Sequence, residues 1–211
     1  MAGVGLQMLF ELIVSIQIQM NADYEIIVSD SSGDLAMQKH CEMKGVKYVE
    51  GRFGAAANLN NAIDHAQGDI IKPMFQDDRF IERHSLQKIQ TAFDEGAQWI
   101  ACDSQNGGED GYRSDLFHPY PHSSIEALRE GENTYGSPSV MAWRKNDLRF
   151  DENLPWLFDC EFYGRMAERY GVPVFVDTPI FIRQWSGMAT NVLATGAQRV
   201  LDHNYVVEKY R

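Results

Sequence analysis

Basic residues are scarce in this chain, and none occurs before Lys39. Nineteen Lys+Arg against thirty Asp+Glu over 211 residues leave a formal net charge of −11. That balance argues against a broad basic surface gripping a polyanion, while a local basic pocket stays compatible with it. An acidic chain that holds a phosphate ligand has reason to recruit a metal cation. Cysteine is also sparse. Cys41, Cys102 and Cys160 are odd in number and form no CxxC, so they imply neither a disulfide framework nor a zinc knuckle. A reducing compartment is the simplest reading, and the cytoplasm is the expected location. Long apolar runs are missing too. The most apolar stretch, Leu6 to Met20, is interrupted by Gln7, Glu11, Gln17 and Gln19 and is too short to span a bilayer. Without a basic n-region or a clear cleavage site, it does not read as a signal peptide. Repeats and low-complexity segments are absent as well. What is present is ample core material: 44% hydrophobic and 11% aromatic residues, enough for one domain and tight for two.

The first half alternates strand-like and helix-like segments. Tyr24 to Asp30 reads as a buried strand, Asp34 as the N-cap of a helix that stops near Gly45, and Val46 to Val49 as a short strand. A helix is expected over Ala55 to Ala66, a strand over Ile70 to Phe75, a helix over His84 to Phe93 and a strand over Trp99 to Asp103. Strands separated by helices predict an α/β fold: a mixed, mainly parallel sheet flanked by helices. The second half is less regular. Ser104 to Ser123 reads as a loop, Ser139 to Trp143 as a strand, and Asp159 to Tyr170 as a helix ended by Gly171. Val174 to Val176 and Ile180 to Trp185 read as strands, and Asn191 to Glu208 as a terminal helix. Residues 6 to about 19 suit both periods, and helix is the favoured reading. The organisation expected is one domain, 1–211, with a nucleotide-type half (1–103) and an irregular half (104–211).

Several residues are candidates for chemistry. Gln76-Asp77-Asp78 places adjacent carboxylates just past a strand of the sheet. Ligands of open α/β sheets bind at that end, and carboxylates there can hold a hard cation that bridges phosphates. A solvated turn in which Asp78 caps the next helix fits the spacing equally. Asp30 ends the first strand in a Ser-Asp-Ser-Ser-Gly-Asp turn; it either accepts from a nucleoside or satisfies its own turn backbone. Asp159 falls in the first turn of its helix, where the dipole favours the carboxylate, so helix cap and general base are both open. Asn58, Asn60 and Asn61 lie among small residues at a helix start, which permits close approach to a cofactor. His118 and His122 are four apart, but Pro119 and Pro121 exclude a helix between them, so they read as loop residues. His203 on the terminal helix reads first as an ordinary histidine and second as a metal or phosphate ligand. Tyr135 and Trp156 suit either core packing or stacking on a sugar ring.

Taken in order, these segments resemble a family 2 glycosyltransferase with the GT-A nucleotide-sugar-binding fold. Tyr24 to Asp34 is similar to that family's Glu-Ile-Ile-Val-x-Asp turn, and Asn58 to Asp78 to its helix, Ala-x-Gly-Asp and Asp-x-Asp segment. Asn133 to Ser139 is similar to the entry of its acceptor-side strand, and Phe150 to Arg165 to the stretch that ends in the catalytic Asp helix. The resemblance covers about residues 6 to 190. It implies that Asp30 contacts the nucleoside, with Asn58 and Asn60 on the cofactor side. It also implies that Asp77 binds a Mn²⁺ or Mg²⁺ ion bridging the diphosphate, that Asp78 orients metal or sugar, and that Asp159 is the general base. The implied reaction moves a sugar, with inversion, from a nucleotide-diphosphate donor such as a UDP-sugar to an acceptor hydroxyl. Two departures stand out. Phe75 replaces the first Asp of Asp-x-Asp. The family's opening strand, which lies mid-sheet, has no counterpart before the first helix. The resemblance then requires the slot to be filled by closure of neighbouring strands, by the N-terminal residues, or by another chain, as in a homodimer. A non-catalytic nucleotide-sugar-binding module and a structural remnant of the fold are the competing functions.

Overall fold

The computed structural model describes residues 2–108, 111–185 and 195–211. The chain opens with helix α1 (Ala2–Gln17), so the helical period wins over the alternating one. Met8, Leu9, Leu12 and Ile13 supply its buried stripe. The chain then runs β1 (Ile27–Asp30), α2 (Leu35–Met43), β2 (Lys47–Glu50), α3 (Ala55–His65), β3 (Ile70–Ile71), β4 (Arg79–Phe80) and α4 (Ser85–Asp94). It continues through β5 (Trp99–Gly108), α5 (Ile125–Arg129), a 3-10 turn (Pro138–Val140), β6 (Met141–Arg144), α6 (Phe158–Tyr170), β7 (Val174–Gln184) and α7 (Gly196–Lys209). Of the terminal helix expected from Asn191, residues 191–194 lie outside the described residues.

Asp34 caps α2 as expected, its Oδ1 accepting from the Ala36 N–H at 2.8 Å. The strand expected over Ile70 to Phe75 stops at Ile71. Pro73 has no N–H for a ladder, and Phe75 N donates instead to Ser139 Oγ at 2.9 Å. The loop expected from Ser104 begins later, because Ser104 to Gly108 extend β5. The chain beyond doubles back onto that strand through bridges Ser104 to Phe117 and Gly107 to Arg113. The two strands expected around residue 177 are one, β7, with a register shift against β5 between Cys102 and Ser104. The two-residue strand β4 and the one-turn helix α5 have no period long enough to read from sequence.

Two sheets form. β1 and β2 pair in parallel, and β3-β6-β5-β7-β4 make a five-stranded mixed sheet whose longest pairing, β5 with β7, is parallel. Each sheet has its own apolar cluster. Trp99, Trp143, Tyr135, Phe162 and Tyr163 anchor the main core. A smaller cluster of Leu9, Ile13, Met37, Cys41 and Val46 fills the space between α1, α2 and the two-stranded sheet. Among the described residues no strand joins β1 to β3, and the slot implied between them is not closed by a ladder. Side chains bridge it. Asn58 Nδ2 on α3 donates to the Ser29 carbonyl at 2.8 Å, on the edge of β1 turned away from β2. The Glu25 carboxylate accepts from the N–H groups of Gln67 and Gly68 at 2.5 and 2.9 Å.

Candidate active site

The Asp77–Asp78 turn joins β3 to β4. Asp78 is buried and accepts from Arg183 N at 3.2 Å and from the Ser139 hydroxyl. Burial first, then the charge of Asp77, pushes its carboxyl up to about 7, against the pull of Ser139, Arg183 and Lys72. Lys72 lies beneath the turn and donates to the carbonyls of Pro73 and Ser139. Burial drives its ammonium down to about 8, with Cys102 and Asp78 opposing. Asp78 is therefore turned inward, while Asp77 stays half-buried at the rim. Asp77 Oδ2 accepts from the Trp185 indole at 2.9 Å, and its carbonyl accepts from Arg183 Nε at 3.4 Å.

Around this turn an otherwise acidic chain gathers arginines. The Arg79 and Arg113 guanidinium groups lie 4.0 and 4.3 Å from the Phe181 ring centroid. Glu11 of α1 pairs with both Arg79 and Arg183. Nothing in the periodicity singles these arginines out, because they come together only when β4, β7 and the loop after β5 meet. Ser139 and Trp185 were missed for the same reason.

Asp159 occupies the first turn of α6. Its Oδ1 accepts from the Cys160 N–H at 2.8 Å, and its Oδ2 from Asn133 Nδ2 at 3.2 Å. Burial raises its carboxyl to about 6, with the Cys160 N–H holding it back. The segment Asn133–Ser139 ties this carboxylate to the Asp77–Asp78 turn. Asn133 reaches Asp159, and the Gly136 carbonyl accepts from Asn133 Nδ2 at 3.1 Å and from the Tyr163 hydroxyl at 3.2 Å. At its other end Ser139 holds Phe75 and Asp78.

The remaining candidates separate. Asp30 is engaged by its own turn: Oδ1 accepts from Ser32 N at 3.0 Å, and Oδ2 from Ser32 Oγ and the Tyr48 hydroxyl at 2.8 and 3.1 Å. Asn58 is occupied with Ser29. Asn60 is buried and spans Phe150, donating to its carbonyl and accepting from its N–H, both at 2.9 Å. These two asparagines brace β1 and the chain before α6. Tyr135 is fully buried against Trp99 and Tyr163, which excludes stacking on a sugar. His122 Nδ1 lies 2.6 Å from the Tyr135 hydroxyl, His118 Nδ1 lies 3.0 Å from Asp103 Oδ2, and His203 Nε2 lies 3.3 Å from Glu130 Oε2. The three cysteines are buried and free.

The profile for Glycosyl transferase family 2 matches residues 6–152. This chain belongs to glycosyl transferase family 2. The family match thus covers the β1 turn and the Asp77–Asp78 turn and stops short of Asp159. Among solved structures, Staphylococcus aureus TarS 1-349 in complex with UDP-GlcNAc superimposes with a TM-score of 0.63 at 16% identity, covering 86% of this chain and 56% of that one. The mannosyltransferase PcManGT from Pyrobaculum calidifontis, in complex with GDP-Man and Mn²⁺, gives a TM-score of 0.64 at 16% identity, covering 96% of this chain and 61% of that one. Both likenesses establish the family's GT-A fold, and the chain spans under two thirds of each neighbour. No curated protein matches in sequence. No described helix is long and apolar enough to cross a membrane.

A divalent cation fits this family member only in part. Among the described residues no three His, Cys, Asp or Glu side chains form a metal group. Asp77 at the rim is the carboxylate available to a cation. One carboxylate completed by phosphate oxygens and water is an ordinary Mg²⁺ arrangement, whereas Asp78 is already spent on Ser139 and Arg183.

Proposed function

We propose that this chain transfers a sugar, with inversion, from a nucleotide-diphosphate donor of the UDP-sugar type to an acceptor hydroxyl. The observation that carries the reading is the Asn133–Ser139 segment, which holds the rim carboxylate turn at one end and the Asp159 carboxylate at the other. The UDP-GlcNAc and GDP-Man complexes of the fold neighbours support the donor class. In this reading Asp77 is the residue that would hold a divalent cation at the donor side. When bound, the cation stabilises charge building on the leaving group. Asp78, turned inward, fixes the turn. Arg183 and Arg79 add positive charge beside it. Asp159 accepts the proton of the acceptor hydroxyl. The acceptor oxygen bonds to the anomeric carbon from the face opposite the leaving diphosphate, and the bond from that carbon to the phosphate oxygen breaks. Asp30 sits at the carboxyl end of β1, on the nucleoside side.

The test is turnover of a panel of UDP- and GDP-sugars, read as released nucleoside diphosphate with Mn²⁺ present. Asp159→Asn is expected to lose roughly a hundredfold or more of the rate, the scale of a general base. Asp77→Asn is expected to lose turnover together with its dependence on the cation. Full activity in both variants would overturn the assignment of roles.

A further inference from the structure

The helix that carries Asp159 holds its own start only in part, through the bond from the Cys160 N–H to Asp159 Oδ1. Its N-cap residue is Leu157, which has no side-chain acceptor for the first free N–H groups. A carboxylate from another helix holds the residues that lead into it. Asp202 of α7 is 2% exposed, and its Oδ2 accepts from the N–H groups of Trp156 and Leu157 at 2.8 and 3.0 Å. Its Oδ1 accepts from Gln198 Nε2 at 2.7 Å, so the carboxylate is fixed from its own helix as well.

The far end of α7 grips the same helix one turn on. Glu161, two residues beyond Asp159, is fully buried. It accepts from Lys209 Nζ at 2.9 Å and from the Tyr210 hydroxyl, in addition to the Arg165 guanidinium at 2.7 and 2.8 Å. Lys209 also reaches Asp151 Oδ2 at 2.6 Å, and Val206 packs into the core between the two grips. A lone carboxylate that merely capped a helix would need none of this second anchorage.

We propose that α7 is a clasp that sets the place and direction of Asp159, with Asp202 as its positioning residue. The proposal rests on the reading of Asp159 as the general base, and α7 lies outside the segment that matches the family. Its logic is that base catalysis tolerates little displacement of the accepting oxygen. The entry to α6 is fixed by the bonds of the Trp156 and Leu157 N–H groups to Asp202, and the turn beyond Asp159 by the Glu161 cluster.

The experiment compares wild type with Asp202→Ala, Asp202→Asn and Asp159→Asn. Two measurements need no substrate: hydrogen exchange at the amides of residues 160–162, and carbon-13 titration of the Asp159 carboxyl. Cys160 and Tyr163 are the other titratable groups facing that carboxyl, so their signals are followed alongside. In Asp202→Ala, exchange in the first turn of α6 is expected to rise at least tenfold, with the β5 amides unchanged. The Asp159 titration is expected to fall toward the ordinary carboxylate range as water reaches it. Asp202→Asn, which keeps one carbonyl acceptor, is expected to lie between the two. With a donor that wild type turns over, Asp202→Ala is expected to lose roughly tenfold or more in kcat, with donor KM within about twofold. Unchanged first-turn exchange and an unchanged Asp159 titration in Asp202→Ala would overturn the clasp. Where that variant does not fold, the same result in Asp202→Asn overturns it. Full activity in Asp159→Asn would instead overturn the base assignment, so the two failures are told apart.

Discussion

The carboxylates at the site differ in what surrounds them. Asp78 and Asp159 are both raised by burial, to about 7 and about 6, but only Asp159 is free of a second carboxylate's push. A base works ionised, so the sign is simple. Turnover is expected to be full well above pH 6 and to fall as pH drops through about 6, where Asp159 takes up a proton. The pH profile of kcat with a working donor checks this. An acid limb near the ordinary carboxylate range would mean that Asp159 is better solvated than its surroundings indicate. At this scale the sequence was informative about identity and uninformative about commitment. Asp77 and Asp159 could be singled out because each follows or begins an element with a clear period. Asn58 and Asn60 could not be judged, because their partners, Ser29 and Phe150, are 29 and 90 residues away.

At the scale of elements, the packing of α6 on α5 depends on one missing side chain. A Cβ added at Gly164 would come within 2.3 Å of Arg129 Cγ and 3.0 Å of its Nε. Arg129 is buried and paired with Glu168 at 2.6 Å, so it has little room to yield. Gly164→Ala is expected to destabilise the fold by about 1–3 kcal/mol, despite alanine's better helix propensity. Denaturant unfolding of the two proteins decides it, and equal midpoints would mean that Arg129 can swing aside. The long helices and core strands were readable because each repeats its apolar period several times. Strand β3 is shorter than its sequence suggests, since the apolar residues Met74 and Phe75 continue past the proline that bars the ladder. Helix α5 is too short to show a period at all.

For the molecule as a whole, the cation and the nucleotide are expected to bind as a pair. On the proposed function, Asp77 would offer the cation a single carboxylate, and a nucleotide would have to supply further oxygens. Mn²⁺ by itself is therefore expected to leave the melting temperature within about 1 °C. UDP with Mn²⁺ at a hundredfold excess over Kd is expected to add about 2.7 kcal/mol, which is several degrees for a chain of this size. A melting curve shifted by Mn²⁺ alone would point to a preformed cation site elsewhere. The fold class was legible because strand and helix alternate through the first hundred residues. The five-stranded sheet draws β3 and β4 from before residue 103 and β6 and β7 from after it, so one sheet joins the two halves.

The split between the two sheets carries a mechanical consequence. A continuous ladder makes neighbouring strands melt together. Here the β1–β2 layer joins the rest of the molecule through its packing on α3, the flank of α1 and a few amide and carboxylate side chains. Such a layer is free to loosen on its own, at lower cost than global unfolding. It is also the layer that ends in Asp30, the residue that the proposed function puts on the nucleoside side. A nucleotide bound there would then also stiffen the join between the two sheets.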